Sequence, residues 1–316
     1  MDTELKKSVD LEDQMPSEVK LTSFWQFLIR EFKADKTALV SLIVLIAVLS
    51  TIFISAIYLD STEIMRGMDL FNRDQAPTWW RWGNGPSETG GLLGTDAAGR
   101  SMVHMLIIGT QNSIRIGFTV SIISIVIGLV VGLFAGYYGG HFDNAVMRFL
   151  DMWAIIPSLM TMIVLRVMMT NFGVWHMIFL LTIFSWQGRA RQIRNLTFGQ
   201  RVQDYVEASR TLGTRNITII FKKILPNLAA MVSADVILTL GTSIGIETGL
   251  TALGFGLPPG TPSIGFFISN ALVSVNIQFR QWNWFPAIIL VFIIMFSINF
   301  VGLAVSRAAN AQQRLS

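Results

Sequence analysis

The sequence predicts an all-α integral membrane protein with six transmembrane helices and both termini in the cytoplasm. The first observation is composition: 52% of the 316 residues are hydrophobic and only 14% are charged, whereas a soluble domain carries about a quarter charged residues. The second is that the charge deficit is concentrated in long uncharged runs, which suit a bilayer better than an oversized soluble core. The third is that Lys and Arg gather in loops beside these runs.

The first three predicted spans occupy residues 37–59, 113–140 and 149–171. The first is uncharged, and as a helix it is about 34 Å long, enough to cross a hydrocarbon core of about 30 Å. The second is uncharged from Gly117 onward, and the third carries Arg166 within its apolar run.

The last three predicted spans occupy residues 173–190, 227–250 and 284–306. The fourth is short by itself but can be extended at either end. The fifth contains Asp235 and Glu247, and the sixth is uncharged with tryptophans near its start that suit an interfacial anchor. The apolar run Ile264 to Ile277 is too short to span and is interpreted as re-entrant or interfacial.

The distribution of Lys and Arg predicts the orientation of the membrane domain, residues 37–306. The segment from Ser185 to Pro226 holds eight Lys or Arg against two acids. The positive-inside rule therefore places the loop 191–226 in the cytoplasm, with the tails 1–36 and 307–316, and leaves the loop 60–112 outside. The first tail includes an amphipathic segment and lacks the pattern of a cleavable signal peptide.

Several function classes find no support in the sequence. The chain has no cysteine, so disulfides, zinc–thiolate sites and thiol catalysis are excluded. The segment GTDAAGRS, Gly94 to Ser101, is one residue from a phosphate-binding loop, but it has Arg100 where Lys is required and is predicted to lie outside. No zinc-protease or serine-hydrolase motif is present, and the basic residues sit beside apolar spans rather than in a nucleic-acid patch. We therefore expect no catalytic residue, no metal site and no nucleic-acid partner.

Three charged residues within the spans are candidate pore or intramembrane polar groups: Asp235, Glu247 and Arg166. Such charges are costly in a bilayer and often functional. Asp235 lies roughly 12 Å into the fifth span and is expected to face a wet cavity or a polar partner. It is either a hydrogen-bonded structural residue or a transport residue. Glu247 is expected near the outer interface at little cost, and Arg166 can extend outward to the interface.

Small residues recur every four positions on two predicted spans. Gly128, Gly132, Gly136 and Gly140 line one face of the second, and Gly241, Gly245 and Gly249 line one face of the fifth. Such faces allow helices to pack closely in lipid. For the second span we expect packing within this chain. For the fifth, packing within the chain and a seam against a partner subunit or moving pore wall stay open.

The basic loop reads as two short amphipathic helices joined at Gly213. Apolar residues share one helical face before this glycine, which suits a left-handed helix end. Ile217, Ile220, Phe221 and Ile224 form a second apolar face, and Pro226 is expected to close this helix before the fifth span begins. Such a pair can lie on lipid or fit a groove in a protein partner.

This segment resembles the EAA motif of ABC-transporter permeases, E-A-A-x3-G-x9-I-x-L-P. Glu207, Ala208, Gly213, Leu225 and Pro226 match in register. Ser209 replaces the second alanine, and Lys223 stands where the pattern has isoleucine. The segments GLLGTDAAGRS, AGYYGGHFDNAVMRFLD and LGFGLPPGTPSIG, in this order, resemble the C-type subunit of the dipeptide and oligopeptide permease subfamily, as does FWQFLIREFKADKTALV before the first span. The resemblance covers most of the chain.

The resemblance implies a type I ABC importer permease fold and a multi-pass protein of the plasma membrane. This chain would form half of a pore with a homologous permease subunit, as a heterodimer. Its partners would be two ATP-binding-cassette ATPase subunits, which would hold ATP and magnesium, and an extracytoplasmic peptide-binding protein. No cofactor is expected in this chain itself. The implied ATPase-coupling residues are Glu207, Ala208, Ser209, Gly213, Ile217, Ile220, Phe221, Leu225 and Pro226.

Alternatives differ in energy source or cargo. An ion-coupled secondary transporter would use Asp235 as its coupling group, although the sequence shows no internal repeat of the kind common in such proteins. An importer of the same family carrying nickel or another small solute is also compatible with the motifs. A membrane enzyme has no motif in its favour.

Overall fold

The computed structural model describes residues 24–58, 69–79, 91–258 and 261–313. Regular structure in these ranges is helical, apart from one isolated bridge between Thr95 and Ser101. The first helices are α1 (Phe24–Ala34), α2 (Lys36–Tyr58), α3 (Met102–Tyr138), α4 (Gly140–Ile155), α5 (Ser158–Met168), α6 (Val174–Arg201) and α7 (Asp204–Thr211). The next helix, α8, joins an α-helical turn (Asn216–Ile219), a π-helical turn (Ile220–Ile224) and a long α-helix (Leu225–Ala252). The last are α9 (Ile264–Asn270), α10 (Ser274–Phe279) and α11 (Phe285–Gln313), and the short 3-10 turns are Leu70–Asn72 and Gln281–Asn283.

Among the described residues, four helices are long and apolar enough to cross a membrane: α2, α3, α8 and α11. A fifth crossing is possible if α4 and α5, which meet at a bend of 73°, form one broken span. Helix α6 is not among them because the second half of its 28 residues is polar and basic. The all-α membrane fold is thereby confirmed, whereas the count of six spans stays a prediction. The helices α9 and α10 have 7 and 6 residues, too short to span, as expected.

The segment expected to form one span at residues 149–171 is instead broken. Helix α4 ends at Ile155, and α5 begins at Ser158 after Pro157. The ring of a proline disfavours helical geometry in the residue before it, and Ile156 is accordingly extended, with ψ 120°. The bend between α4 and α5 therefore has a local cause in the sequence.

The expectation that Pro226 closes a separate helix is wrong. The chain runs from Asn216 to Ala252 as one helical element of 37 residues. Proline lacks an amide hydrogen and clashes with the preceding turn of an α-helix. A π-helical turn immediately before Pro226 widens the helix at this point, and the amide of Leu225 donates to the carbonyl of Ile220, five residues back. The segment at the head of the fifth span thus continues into it as one helical element.

Helix α3 packs along α6 through its small residues. A methyl group placed on Gly132 would lie 2.7 Å from the carbonyl oxygen of Ala190 and 2.9 Å from the amide of Arg194. Gly128 and Gly136 approach the backbone of α6 in the same way, at 3.0 Å and 2.6 Å. The stripe predicted on the second span therefore packs within this chain, except Gly140, which begins α4 and has open space around it.

The second stripe, on α8, is only partly occupied within this chain. Gly241 and Gly245 face side chains of α11, and an added methyl group would lie 3.0 Å from Ile298 and 3.2 Å from Met295. No atom lies within 4 Å of the methyl position at Gly249. Packing inside the chain therefore accounts for two of the three positions.

The described parts of the loop before α3, residues 69–79 and 91–101, are joined to each other by backbone hydrogen bonds. Helix α3 begins at Met102, earlier than the expected start of the span. The Asp96 carboxylate accepts hydrogen bonds from the amides of Ala98 and Arg100, at 2.9 Å and 2.8 Å, and from the Arg100 side chain. This carboxylate fills the turn that resembled a phosphate-binding loop, so the turn carries its own anion. The comparison with a nucleotide site fails on this geometry as well as on the arginine.

The first and last helices of the described chain, α1 and α11, are in contact near the chain ends. Arg307, near the end of α11, pairs with Glu31 of α1 at 2.6 Å and with Asp35, between α1 and α2. The Asp35 carboxylate also caps α2, and hydrogen bonds from the Thr37 side chain and the Ala38 amide, opposed by some desolvation, lower its pKa to about 2. Both termini of the described residues therefore lie at the same end of the bundle. The first 23 residues, which include most of the predicted tail, lie outside the described ranges.

Candidate coupling surface

The basic segment predicted to couple to a partner is held against the ends of two long helices. Val206 of α7 and Ile219, Ile220 and Ile224 of α8 are fully buried. They form one apolar cluster with Leu133 and Tyr137 at the end of α3, Ile193 of α6 and Leu228 of α8. For Val206 and Ile219, which lie outside the predicted spans, burial stabilises the fold by roughly 1.5–3 kcal/mol each relative to exposure to water. The segment is therefore a packed part of the bundle rather than a loose surface loop.

Tyr137 connects the two parts of this segment. Its hydroxyl donates to the side-chain oxygen of Asn216 at 2.9 Å. The guanidinium of Arg210, from α7, lies over the tyrosine ring at 5.1 Å, a distance at which a cation is attracted to the ring face. One side chain at the end of α3 thus fixes both α7 and the start of α8.

Gly213 makes the turn between α7 and α8, and its predicted left-handed conformation is confirmed. Its φ is +75°. The amide of Gly213 donates to Arg210 at 2.9 Å and the amide of Thr214 donates to Ser209 at 3.1 Å, the pattern of a Schellman helix end. No atom lies within 4 Å of a methyl group placed on Gly213. The requirement for glycine here is therefore one of backbone conformation and not of space.

Apolar side chains on the outside of this segment remain uncovered. Leu212, Ile217 and Phe221 are 85%, 60% and 41% exposed, and beside them lie Glu207, with its side chain 74% exposed, and the exposed Ala208. We call Glu207, Ala208, Leu212, Gly213, Ile217 and Phe221 the coupling surface. The amphipathic faces differ from those predicted. The sequence pattern places Val202, Tyr205, Val206 and Leu212 on one face, but Val202 and Leu212 are exposed while Val206 is buried. On the second predicted face, Ile220 and Ile224 are buried while Ile217 and Phe221 are exposed.

The other predicted coupling residues support this surface. The Ser209 hydroxyl donates to the Tyr205 carbonyl at 2.7 Å within α7. Burial raises the pKa of Tyr205, whose hydroxyl donates to the Gln200 side chain at 2.7 Å. Leu225 is half-buried and Pro226 is exposed. Ile220 is fully buried and belongs to the cluster beneath the surface.

Asp235 is held by an arginine. Its carboxylate pairs with the guanidinium of Arg189 on α6, and the two side chains are 6% and 23% exposed. The expectation of a polar partner is met by this contact. A buried carboxylate with a basic partner is less available for binding an ion or a proton than an unpaired one.

Glu247 is not a lightly buried group. It is 0% exposed, and its carboxylate accepts hydrogen bonds from Ser113 of α3 and Thr251 of α8, each at 2.8 Å. The Ser113 hydroxyl oxygen in turn accepts from the amide of Ile264, at the start of α9, at 3.1 Å. The expectation that Glu247 is placed at little cost is therefore wrong, whereas its depth near the outer interface stays a prediction. This carboxyl group connects three helices inside the protein.

Arg166 points into the chain as well. Its Nε donates to the carbonyl of Gly256 at 3.1 Å, and its guanidinium lies 4.1 Å from the centre of the Phe172 ring. Asp235, Glu247 and Arg166 each have their own contacts and do not form one cluster.

Sequence reasoning missed the roles of the arginines on α6, most of which it attributed to topology alone. Besides the pair with Asp235, Arg194 holds both carboxylate oxygens of Asp143 on α4, and Arg191 pairs with Asp151 at 2.6 Å. The neighbouring segments contain acidic residues, which is the only sign in the sequence that these arginines have partners. The partners are 40 to 51 residues away along the chain, and no sequence pattern identifies which acid pairs with which arginine. Within the described ranges, no group of three or more His, Asp or Glu side chains could hold a metal ion.

A bundle of long apolar helices with an amphipathic segment packed at one end defines a multi-pass membrane protein. Residues 128–313 match the family described as binding-protein-dependent transport system inner membrane component. Since this match covers more than half of the chain, the protein belongs to that family and lies in the cell membrane.

Curated relatives match over nearly the whole chain. The chain is 40% identical over 283 residues to an oligopeptide transport system permease protein of Lactococcus lactis subsp. cremoris, covering 90% of this chain and 93% of the relative. It is 30% identical over 290 residues to an oligopeptide transport system permease protein of Streptococcus pneumoniae, covering 91% and 90%. A solved chain of the MetNI methionine ABC transporter in an inward-facing conformation has a TM-score of 0.54 at 23% identity, covering 66% of this chain and 97% of the other. This likeness supports the fold.

Proposed function

We propose that this chain is the transmembrane permease subunit of an ATP-driven importer of oligopeptides or dipeptides, and that its coupling surface docks on a cytoplasmic ATPase. The observation that carries the proposal is that exposed Leu212, Ile217 and Phe221 sit on a segment whose opposite face is fully buried against α3 and α6. An amphipathic helix end of this kind fits a groove in a protein partner.

Helical continuity supports transmission from this surface into the membrane. The helical element that begins at Asn216 continues to Ala252, and the part from Leu225 alone is 28 residues long, about 42 Å as a helix. A displacement of the coupling surface would therefore move a whole span. The same element packs on α3, α11 and α9, so the movement would reach both neighbouring spans and the far end of the bundle.

We further propose six spans with both termini in the cytoplasm. The end of α3 and the end of α6 belong to the same cluster as the start of α8, so both helices end at the coupling surface. The broken pair α4 and α5 must then carry the chain to the opposite end before α6 returns. Counting α6 and the broken pair gives six crossings, and the Arg307 contacts place both described ends of the chain together.

The proposal also covers the substrate and the remaining partners. Two relatives are called oligopeptide transport permeases, which supports peptides as the cargo, and the family description names dependence on a binding protein, which supports an extracytoplasmic peptide-binding protein. We also propose a homologous permease as the second half of the pore. ATP and magnesium would belong to the ATPase subunits, so this chain would be a pore subunit and not an enzyme. The alternative of an ion-coupled transporter gains nothing from the structure, because Asp235 is paired with Arg189.

The test is co-purification of the ATPase subunits with tagged variants of this chain, expressed with its neighbouring subunits. Leu212→Ser and Ile217→Ser change only exposed side chains, so we expect normal insertion with at least tenfold less ATPase retained. Glu207→Arg should act in the same direction by adding a like charge to a basic segment. The matched control is Leu272→Ser, since Leu272 is 70% exposed but lies between α9 and α10.

Gly213→Val tests the geometry of the surface separately. A left-handed residue costs a non-glycine side chain roughly 1–2 kcal/mol, and the open space around Gly213 removes any steric contribution. We expect near-normal expression with reduced ATPase association or substrate-stimulated hydrolysis. The proposal fails if Leu212→Ser, Ile217→Ser, Glu207→Arg and Gly213→Val all retain the ATPase fully and show full substrate-stimulated hydrolysis. The segment would then be only a basic membrane-surface element.

A further inference from the structure

Helix α1 lies at the level where two predicted spans begin and end. Phe32 of α1 is buried in one apolar cluster with Ala38, at the start of the first predicted span, and Val305, at the end of the sixth. Such a level marks a membrane surface. Ala234 of α8 belongs to the same cluster, and it lies 17 residues, about 26 Å along a helix, beyond Ile217 of the coupling surface. Helix α1 is therefore set back from the coupling surface toward the bilayer.

One side of α1 is used by the fold of this chain. Leu28 and Phe32 pack in the cluster with α11, and Glu31 pairs with Arg307 of α11 at 2.6 Å. Asp35, immediately after α1, pairs with the same guanidinium. The amide of Asp35 donates to the carbonyl of Glu31 at 2.9 Å, so the helical path continues to this residue. Both acidic side chains of the segment 24–36 are therefore paired within the chain.

The other side of α1 carries unpaired cations. Arg30 and Lys33 are three positions apart, so they are neighbours on the helix surface. Both are exposed, as is Lys36 at the start of α2, and none of the three forms an ion pair with a described residue. Ile29, next to Arg30, is 54% exposed. Basic and apolar side chains together on the outer side of a helix at a membrane surface suit contact with lipid.

We propose that Arg30, Lys33 and Lys36 bind the headgroups of anionic phospholipids. A basic residue beside a span favours anionic lipid by about 1 kcal/mol, which is about fivefold in binding. The three cations lie within about 9 Å along the chain axis, close to the Debye length of about 8 Å at physiological salt, so they act on the same headgroups. This inference goes beyond the proposed function, because it depends neither on the cargo nor on the ATPase.

The experiment measures which lipid lies next to α1 in the whole chain. The sequence has no cysteine, so a single cysteine in place of the exposed Ala34 can carry a bimane fluorophore. Lipids brominated near the headgroup quench this fluorophore on contact. Quenching by brominated phosphatidylglycerol against brominated phosphatidylcholine, in mixed vesicles, gives the relative binding of the two lipids. We expect phosphatidylglycerol to be preferred at least fivefold at position 34.

A second fluorophore position is the control for the location of this preference. Ile57 is 81% exposed near the other end of α2, far from the three cations. A bimane group on a cysteine at this position should show less than twofold preference for phosphatidylglycerol. An equal preference at both positions would overturn the assignment to α1, and so would equal quenching by the two lipids at position 34.

Charge variants test the residues themselves. Arg30→Gln with Lys33→Gln removes two of the three cations, so the preference at position 34 should fall at least threefold. The matched control is Lys222→Gln with Lys223→Gln, which removes two exposed cations from the π-helical turn of α8. The control should leave the preference at position 34 within 1.5-fold of the unaltered chain. Equal losses in the two double variants would overturn the proposal.

Two other occupants of this side of α1 give different results. Residues 1–18 hold six acids against two bases, so an acidic tail could cover the cations. A chain lacking residues 2–18 should keep the lipid preference within twofold, whereas a preference seen only in the shortened chain would overturn the proposal. The ATPase subunits should co-purify fully with Arg30→Gln and Lys33→Gln together. Their loss would assign this side to a protein partner, and normal retention separates failure here from failure of the coupling role.

Salt dependence tests the electrostatic cause in the unaltered chain. Raising the salt concentration from 0.1 M to 1 M shortens the Debye length from about 10 Å to about 3 Å. The preference for phosphatidylglycerol at position 34 should therefore fall below twofold. A preference that persists at 1 M salt would overturn binding through these cations.

Discussion

Removal of Arg189 should destabilise the protein more than removal of Asp235, although the two residues form one ion pair. Removing one partner of a buried pair leaves an uncompensated charge and costs roughly 3–5 kcal/mol. The Asp235 side chain is 6% exposed and that of Arg189 is 23% exposed. Arg189→Met strands a carboxylate that cannot reach water, so we expect about 3 kcal/mol. Asp235→Leu strands a longer, partly exposed guanidinium that can extend toward solvent, so about 1–2 kcal/mol is expected.

The double variant Arg189→Met with Asp235→Leu tests the reasoning. Replacing both members of a buried pair with apolar groups is often near neutral, so its stability should lie within about 1 kcal/mol of the unaltered chain. The assay is reversible unfolding in mixed micelles, completed as a double-mutant cycle. Additive single effects, or a larger loss for Asp235→Leu than for Arg189→Met, would refute the assignment of this contact. Peptide uptake by the double variant should stay mostly intact, whereas abolished uptake with normal assembly would favour an ion-coupled mechanism.

Three further predictions address packing, orientation and pH. Gly132→Ala should destabilise the protein by about 1–3 kcal/mol through overpacking. Gly188 is a helical glycine whose methyl position has no atom within 4 Å, so Gly188→Ala should be neutral or stabilising by up to about 1 kcal/mol. Chemical unfolding compares the two variants, and equal effects would contradict the contact between α3 and α6. Phe71 and Val202 are 96% and 73% exposed, so a single cysteine at either position is accessible to reagent. The cysteine at position 71 should react with an impermeant maleimide added outside intact cells, and the cysteine at position 202 should react only after permeabilisation. Labelling of both from outside would contradict the orientation. The pKa of Asp35 is lowered from 3.8 to about 2, so the stabilisation from its ionised carboxylate is complete above pH 3.8 and is lost as the pH falls through about 2. Hydrogen-exchange protection at the start of α2, corrected for the intrinsic exchange rate, should therefore fall between these two pH values. In Asp35→Ala, the protection should not change over the same pH range.

The arginines of α6 form ion pairs between helices, in addition to indicating the orientation of the chain in the membrane. Arg189 reaches α8 and Arg194 reaches α4, and both residues lie within the close glycine contact between α6 and α3. These pairs connect the spans just inside the coupling surface. A displacement of the coupling surface would therefore act on several spans together, which is what the proposed coupling role needs.

The sequence by itself determined the membrane character of the protein, the approximate place of its apolar runs and the left-handed glycine at Gly213. These follow from local properties: hydropathy over a window of residues, and a backbone conformation that glycine alone adopts readily. The same local rules failed at Pro226, because a π-helical turn let the helix continue through the proline.

Tertiary structure decided which side chains of the amphipathic segment are buried, and hence which surface is left for a partner. It also decided the environment of Glu247, whose position along its helix suggested an interface but whose neighbours on α3 and α9 enclose it. The ion pair between Asp74 and Arg280 joins residues 206 positions apart. Contacts of this range depend on how helices cross in space, which the periodicity of any single helix does not specify.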